Sequence, residues 1–425
     1  MNIEHLYNLF KINKSVSTDT RAIKKGSIFF ALKGENFNGN KFAEDALKKG
    51  ASYAVIDDKK YKSNDKIILV ENVLETLQNL ATYHRKYLKL PILSLTGSNG
   101  KTTTKELINA VLSKKYNTCA TTGNLNNHIG VPLTLLNMDS NTEMGIVEMG
   151  ANHLKEIELL TNIAQPDYGY ITNFGKAHLE GFGSLEGVIK GKTELYDYLR
   201  KQNKMVFINS EDKIQSAKSK GMNTITFGKK DVDYKIEYVD ANPFVVLKYD
   251  NEQVESKLIG AYNFNNIAAA IAIGKYFKVS DQSIKEAIEK YIPTNNRSQI
   301  LKKGTNKIIL DAYNANPSSM KVALENFSDL TDVSKIAILG DMFELGPEAE
   351  SEHQKIVEQV ERSNIGAVYL LGNYFYNLDI INSKIKKFIS FEEFKEKFKN
   401  TSIQNSTILI KASRGMALER ILEEL

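Results

Sequence analysis

Leu93-Ser94-Leu95-Thr96-Gly97-Ser98-Asn99-Gly100-Lys101-Thr102-Thr103-Thr104-Lys105-Glu106 is the stretch that decides how this chain folds. The apolar run over residues 91–95 predicts a buried strand, and residues 106–112 predict the start of a helix. Between them lies a glycine-rich turn ending in Gly-Lys-Thr. A strand, a turn and a helix in that order cradle a polyphosphate. Glycines let backbone N–H groups point inward, and the helix N-terminus adds partial positive charge. Lys101 would reach the β- and γ-phosphates, and Thr102 would offer its hydroxyl to Mg²⁺. The strict pattern G-x-x-x-x-G-K-[ST] needs a glycine where Leu95 stands, so that pattern is only partly met. The plainer alternative is a glycine-rich turn with no ligand. Packing gives no reason for a lysine followed by three threonines at a helix start, so the stretch predicts binding of ATP or GTP.

Composition frames the rest. A chain of 425 residues, 42% hydrophobic and 25% charged, has the makeup of an ordinary globular protein of two or three domains. Net charge is only +5 and the lysines are dispersed, which argues against a nucleic-acid partner. The one cysteine, Cys119, cannot form an internal disulfide, as expected in a reducing compartment. Residues 1–15 lack a signal-peptide core, and no run of about 18 apolar residues occurs. The expectation is a cytoplasmic protein that does not insert in membranes.

Three units follow from where the pattern restarts. Residues 1–88 hold short strand candidates at 27–32 and 53–56 around a helical stretch at 42–49. Residues 89–292 alternate strands and helices: the phosphate loop, then strands at 145–149, 168–174 and 205–209, then an alanine- and isoleucine-rich helix at 263–277. Residues 293–425 restart with strands at 307–311, 335–341, 367–372 and 407–411. The expected class is α/β in three domains: a small α/β N-terminal domain, a central P-loop domain with a parallel sheet, and a Rossmann-like C-terminal domain. In such sheets ligands gather at the carboxyl ends of strands, where these runs turn polar.

Several of those strand ends could carry chemistry. Glu148 closes an apolar strand, and a carboxylate beside a nucleotide suits Mg²⁺, a hard cation that takes oxygen ligands. Many strands end in an acid, however. His178 follows another strand, where a lone histidine is more often structural than a ligand. Lys192 enters a helix, where its ordinary reading is a solvated lysine. Asp311-Ala312-Tyr313-Asn314-Ala315-Asn316-Pro317 is too rich in hydrogen-bonding side chains to be explained by packing.

Taken together, these segments resemble the Mur ligases of peptidoglycan synthesis over essentially the whole chain. Residues 96–103 resemble the family's T-G-[ST]-x-G-K-T-T loop, which accounts for Leu95. The resemblance makes Gly97, Ser98, Asn99, Gly100, Lys101, Thr102 and Thr103 nucleotide contacts. It also implies two Mg²⁺ ions, one held by Thr102 and Glu148, the other by His178 and by Lys192 as a lysine carbamate, with Glu194 two residues on. Gly260-Ala261-Tyr262-Asn263-Phe264-Asn265-Asn266 is similar to the G-x-H-N-x-x-N segment, with Tyr262 in place of the histidine. Asn263 and Asn266 carry over, the latter as the reader of adenine. Arg297 and Asp311 are expected on ATP, with Arg297 at the γ-phosphate after domain closure.

Other segments resemble one branch of the family, which joins D-alanyl-D-alanine to UDP-N-acetylmuramoyl-tripeptide. Residues 122–132, with Asn126 and Asn127, look like its loop for the nucleotide-peptide. Residues 311–317 match D-x-Y-N-A-N-P, implicating Tyr313, Asn314 and Asn316. The segment Leu339-Gly340-Asp341-Met342-Phe343-Glu344-Leu345-Gly346, with His353 beyond it, is similar too. Lys411-Ala412-Ser413-Arg414 resembles K-G-S-R, placing Lys411, Ser413 and Arg414 on the acceptor dipeptide. Thr18-Asp19-Thr20-Arg21 resembles the T-D-S-R of the uridine-binding domain, implicating Thr20 and Arg21, while Asn38-Gly39-Asn40 stands where D-G-H is commoner. The implied reaction is ATP-dependent amide formation through an acyl phosphate, by a monomer, with Lys101, Lys192, His178 and Arg297 as the catalytic set. The alternatives are a Mur ligase adding the third residue, a folylpolyglutamate-synthase-like enzyme, and a nucleotide-dependent switch without ligase activity.

Overall fold

The computed structural model describes residues 2–294, 296–398 and 403–425, which form three α/β units in chain order. The first is built on a four-stranded parallel sheet, Val16–Ser17, Ile28–Phe30, Tyr53–Ile56 and Ile67–Leu69, paired in that sequence. Its last helix, Val73–Leu88, reaches beyond it and packs on helices Gly130–Leu136 and Glu156–Ala164 of the middle unit. His84 ties that junction, with Nδ1 3.1 Å from the Tyr7 hydroxyl and Nε2 2.8 Å from the Met138 carbonyl. Arg85 pairs with Asp167 at 2.7 Å.

The middle unit has nine strands. From one edge they run Thr118–Ala120, Met144–Glu148, Ile92–Thr96, Tyr168–Ile171, Met205–Asn209 and Asn223–Gly228, all parallel, and then Tyr234–Ala241, Phe244–Tyr249 and Glu252–Ile259. Ile92–Thr96 is buried along its whole length because helices cover both faces, which is why it reads as an apolar run. The helix after the glycine turn begins at Lys101, five residues before the expected start, and runs to Leu112. Its first turn holds three threonines, residues of low helix propensity; the hydroxyl of Thr102 reaches Glu148 and that of Thr104 reaches Asn266. The strand expected over 168–174 stops at Ile171, which frees Thr172 and Asn173 for the loop.

The expected parallel sheet is extended at one edge, where the last three strands form an antiparallel meander. Val245, Leu247 and Tyr249 are buried while Lys248 faces water, and Val254, Ser256 and Leu258 alternate likewise. This is the period-two pattern of a sheet covered on one face only. The alanine-rich helix, Phe264–Tyr276, is buried nearly all round and packs on Lys101–Leu112. A Cβ on Gly274 would lie 2.5 Å from Val111 Cγ1, so glycine lets the two helices approach.

The third unit is a six-stranded sheet, Gln299–Lys303, Asn306–Asp311, Thr407–Lys411, Lys335–Gly340, Ala367–Leu371 and Ile385–Phe388. Only its first pair is antiparallel, a hairpin not expected from the sequence, turned at Gly304 with φ +59°. Asp311 and Lys411 end adjacent strands and face the middle unit's phosphate loop across a cleft. Among the described residues no helix is long and apolar enough to cross a membrane.

Candidate active site

The chain leaves Thr96 toward one edge of the central sheet and leaves Glu148 toward the other, opening a crevice at the carboxyl ends of these strands. A cleft of about 830 Å³ lies there, between the middle and last units. Residues 98–103 form its floor. Gly97 and Gly100 have φ of +144° and +76°, which turns the loop tightly. There is no room for side chains: a Cβ on Gly97 would sit 2.0 Å from Thr172 Oγ1, and one on Gly100 2.6 Å from Asn266 Oδ1.

Asn173 clamps the loop. Its Oδ1 accepts from the Asn99 N–H and its Nδ2 donates to the Asn99 carbonyl, each at 3.0 Å. The Thr172 hydroxyl donates to the same carbonyl at 2.6 Å. Sequence reasoning missed both residues, although polar side chains at the end of an apolar strand were the available signal. Lys101 is folded back onto its own loop, donating to the Gly97 carbonyl at 2.7 Å and to that of Ser98 at 3.3 Å. Burial pulls its amine below the ordinary range, with Glu148 opposing the shift and Arg297 adding to it.

Thr102 and Glu148 come together as expected, the hydroxyl donating to Oε1 at 3.3 Å. Asn126 Nδ2 donates to the same oxygen at 2.8 Å. Oε2 is buried without a partner. An unpartnered carboxylate oxygen beside a hydroxyl and a phosphate loop fits a Mg²⁺ ligand set. No group of three or more His, Cys, Asp or Glu among the described residues could hold a metal by itself. Waters and nucleotide phosphate oxygens would complete the shell.

Asn127 also lines the cleft, and its side chain caps the turn at Ile129 and Gly130. His178, at φ +53°, borders the cleft and its Nδ1 bonds to Glu344 of the last unit. Lys192 is fully buried behind Ala151, to whose carbonyl it donates at 3.0 Å. Burial draws its amine far below the ordinary lysine range, the nearby Lys101 adds to that, and Glu156 and Glu194 oppose it. Glu194 is engaged by the backbone N–H groups of Lys155 and Glu158. Asn266 lies under Gly100, accepting from Thr104 at 3.0 Å and donating to Asn263 at 2.8 Å. Asn263 in turn donates to the Ile259 carbonyl. Tyr262, the departure from the family segment, reaches Ser298 at 2.9 Å.

The last unit supplies the opposite wall. Arg297 lies 3.6 Å above the Tyr313 ring, and its Nε is buried without a partner. Asp311 accepts from the Ser298 N–H and pairs with Lys411 at 2.5 Å. Lys411 also reaches the Asn314 carbonyl at 3.3 Å. Asn316 donates to Asn99 Oδ1 at 2.7 Å, joining the Asp311–Pro317 loop directly to the glycine-rich loop. Ser413 and Arg414 stand just outside the cleft. The first bonds to Phe343 and Ala315, the second to Glu419. Asp341 and His353 are structural. Asp341 accepts from the N–H groups of Tyr374 and Phe375, and His353 Nε2 accepts from that of Met342. Together they hold the loop that carries Glu344. Thr20 and Arg21 lie in the first unit, away from this cleft, with Arg21 paired to Asp19 on the surface.

Residues 13–85, 95–274 and 296–414 match, in turn, the Mur ligase family catalytic domain, the Mur ligase middle domain and the Mur ligase glutamate ligase domain. A UDP-N-acetylmuramoyl-tripeptide–D-alanyl-D-alanine ligase of Bacillus subtilis (strain 168) is 34% identical, the match covering 96% of this chain and 92% of that protein. The chain belongs to the Mur ligase family. A second such ligase, from Escherichia coli (strain K12), is 30% identical, with 97% of this chain and 93% of that protein covered. Among solved structures, this Mur ligase resembles MurF from Acinetobacter baumannii, with a TM-score of 0.87, 27% identity, and 97% and 93% of the two chains covered. It also resembles the MurF ligase of Thermotoga maritima in complex with ADP, with a TM-score of 0.85, 26% identity and 97% of each chain covered.

Proposed function

We propose that this Mur ligase joins D-alanyl-D-alanine to UDP-N-acetylmuramoyl-tripeptide at the expense of ATP. The observation that carries the reading is the Asn316–Asn99 contact. It brings the Asp311–Pro317 loop against the glycine-rich loop, which supports an acceptor held beside ATP. In the first half-reaction a tripeptide carboxylate oxygen attacks the γ-phosphorus and ADP leaves, giving an acyl phosphate. The dipeptide amine then attacks the carbonyl carbon, loses a proton, and phosphate departs as the amide forms.

Like charge approaches like charge in the first step, so positioned cations lower the barrier. Lys101 would exchange its loop carbonyls for phosphate oxygens, and Arg297, with its unpartnered Nε, would cover the γ-phosphate. Thr102 and Glu148 would hold one Mg²⁺, and His178 with the Lys192 carbamate a second. Bound there, the ions would neutralise phosphate charge. Burial favours the uncharged form of the Lys192 amine, the form that would add to CO₂. Thr20 and Arg21 would hold the UDP end of the substrate, and Asn126 and Asn127 its peptide side. Tyr313, Asn314, Lys411, Ser413 and Arg414 would orient the dipeptide. We read the protein as a cytoplasmic monomer.

The test is phosphate release from ATP and Mg²⁺ with UDP-N-acetylmuramoyl-tripeptide, with and without D-alanyl-D-alanine, recording product mass. Release requiring both, with a gain of one dipeptide, is the expected result. Release indifferent to the dipeptide but dependent on a single amino acid would favour another Mur ligase.

A further inference from the structure

One ion pair joins the middle and last units beside the cleft, without lining it. Lys176, at the mouth of the middle unit, places Nζ 2.7 Å from Glu352 Oε1 in the last unit. The two ends differ in kind. Glu352 is nearly buried in the first turn of helix Ala349–Arg362, where the helix dipole favours an acid, and Lys355 pairs with it at 2.8 Å. Burial by itself would raise its carboxyl, yet Lys176 and Lys355 hold it below the usual range. Lys176 is half-exposed on a loop. Glu352 is therefore a fixed receptor and Lys176 the arm that reaches it.

The loop bearing that arm is wired to the phosphate site. Asn173 clamps Asn99. Gly175 donates its N–H to the Ser98 hydroxyl at 3.0 Å, and its carbonyl accepts from that hydroxyl at 2.9 Å. The next residue turns to the other unit: the Lys176 N–H donates to Ser318 Oγ at 2.8 Å. Ser318 lies in the first turn of helix Pro317–Asp329, directly after the acceptor loop. Residues 173–176 thus bind the phosphate loop with one end and the acceptor unit with the other. A nucleotide held by Ser98 and Asn99 would bear on Lys176 through these bonds.

We propose that Lys176 and Glu352 form a closure latch, a pair of positioning residues that holds the acceptor unit over the phosphate loop once nucleotide is bound. The inference rests on the ligase reading for its consequence, but the latch itself needs only ATP. An ordered latch lowers the concentration of ATP and of acceptor needed for turnover, because closing the cleft is part of binding each.

The test is a double-mutant cycle with Lys176→Met, Glu352→Gln and both together, with Lys176→Arg as the conservative variant. Each single neutral variant should raise the KM for ATP and for the dipeptide about tenfold, the scale of one charge-assisted hydrogen bond. The double variant should be no worse than either single one, and Lys176→Arg should stay near wild type. Independently of turnover, a non-hydrolysable ATP analogue should slow hydrogen exchange across residues 174–178 and 317–320 in wild type but not in Lys176→Met. Equal KM values in all variants, or fully additive losses, would overturn the latch. So would analogue protection that survives Lys176→Met. If no amide product forms in wild type while the exchange result holds, the ligase reading fails and the latch stands. Circular dichroism melts that match wild type exclude misfolding as the cause.

Discussion

Replacing Gly100 by alanine tests the geometry of the nucleotide site most directly. Two costs arise. At φ +76° an alanine pays the left-handed penalty, roughly 1–2 kcal/mol. Its Cβ would also lie 2.6 Å from Asn266 Oδ1 and 3.0 Å from Nδ2, so Asn266 has to move. Asn266 is held by Thr104 and Asn263, and displacing it breaks two buried hydrogen bonds, worth about 1–3 kcal/mol together. Gly221 provides the control, with φ +75° and nothing within 4 Å of its added Cβ. Gly221→Ala should therefore lose about 1–2 kcal/mol and keep wild-type affinity for ATP. Gly100→Ala should lose about 2–5 kcal/mol and bind a non-hydrolysable ATP analogue at least ~10-fold more weakly. Calorimetric melts and titration calorimetry on both variants give the comparison. If the two alanines behave alike in stability and affinity, the packing of Asn266 beneath the phosphate loop is not what shapes this site.

Lys101→Ala should lower kcat by at least ~10²-fold, the effect of losing one preorganised electrostatic contact, and wild-type turnover would refute its role. Lys192→Ala should be nearly inactive and partly rescued by short carboxylic acids that replace the carbamate oxygens; a rate that acids leave unchanged argues against a carbamate. His84 governs part of the acid limb of stability. Burial holds its folded pKa below the ordinary 6.5, although the Met138 carbonyl and Asp139 oppose that shift. As pH falls below 6.5 the unfolded chain takes up a proton that the folded one refuses, so stability drops, by at most about 1.4 kcal/mol per pH unit. His84→Gln should flatten that limb in urea titrations at pH 5 to 7 (about the range in which histidine titrates), and an unchanged slope would discount His84.

Some of this could be read from local pattern because the physics is local. Ile92–Thr96, Met205–Asn209 and Thr407–Lys411 are apolar runs of strand length, and a doubly covered parallel strand leaves that trace in any context. Gly97, Gly100, Lys101 and Thr102 declare a phosphate loop because the turn needs glycine and the ligand needs N–H, amine and hydroxyl at set offsets. The antiparallel meander over 234–259 was also written in the chain, as alternating residues, but a reading tuned to strand–helix alternation passes over it.

The sequence by itself therefore determined the parallel strands of the two larger sheets, the glycine-rich loop and the family, since each rests on residues a few positions apart. Only the tertiary structure decided which side chains meet across the cleft. Asn316 stands 217 residues from Asn99, and Lys176 stands 176 from Glu352. His178 meets Glu344 across the two units, where the Glu180 N–H also donates to the Glu344 carbonyl and His353 holds the Met342 N–H of the same loop. Lys192, which looks like a surface lysine in the sequence, is buried against Ala151 and Phe182, and that burial draws its amine below the ordinary lysine range. Such contacts depend on how separate sheets are set against one another, and no local period or spacing carries that information.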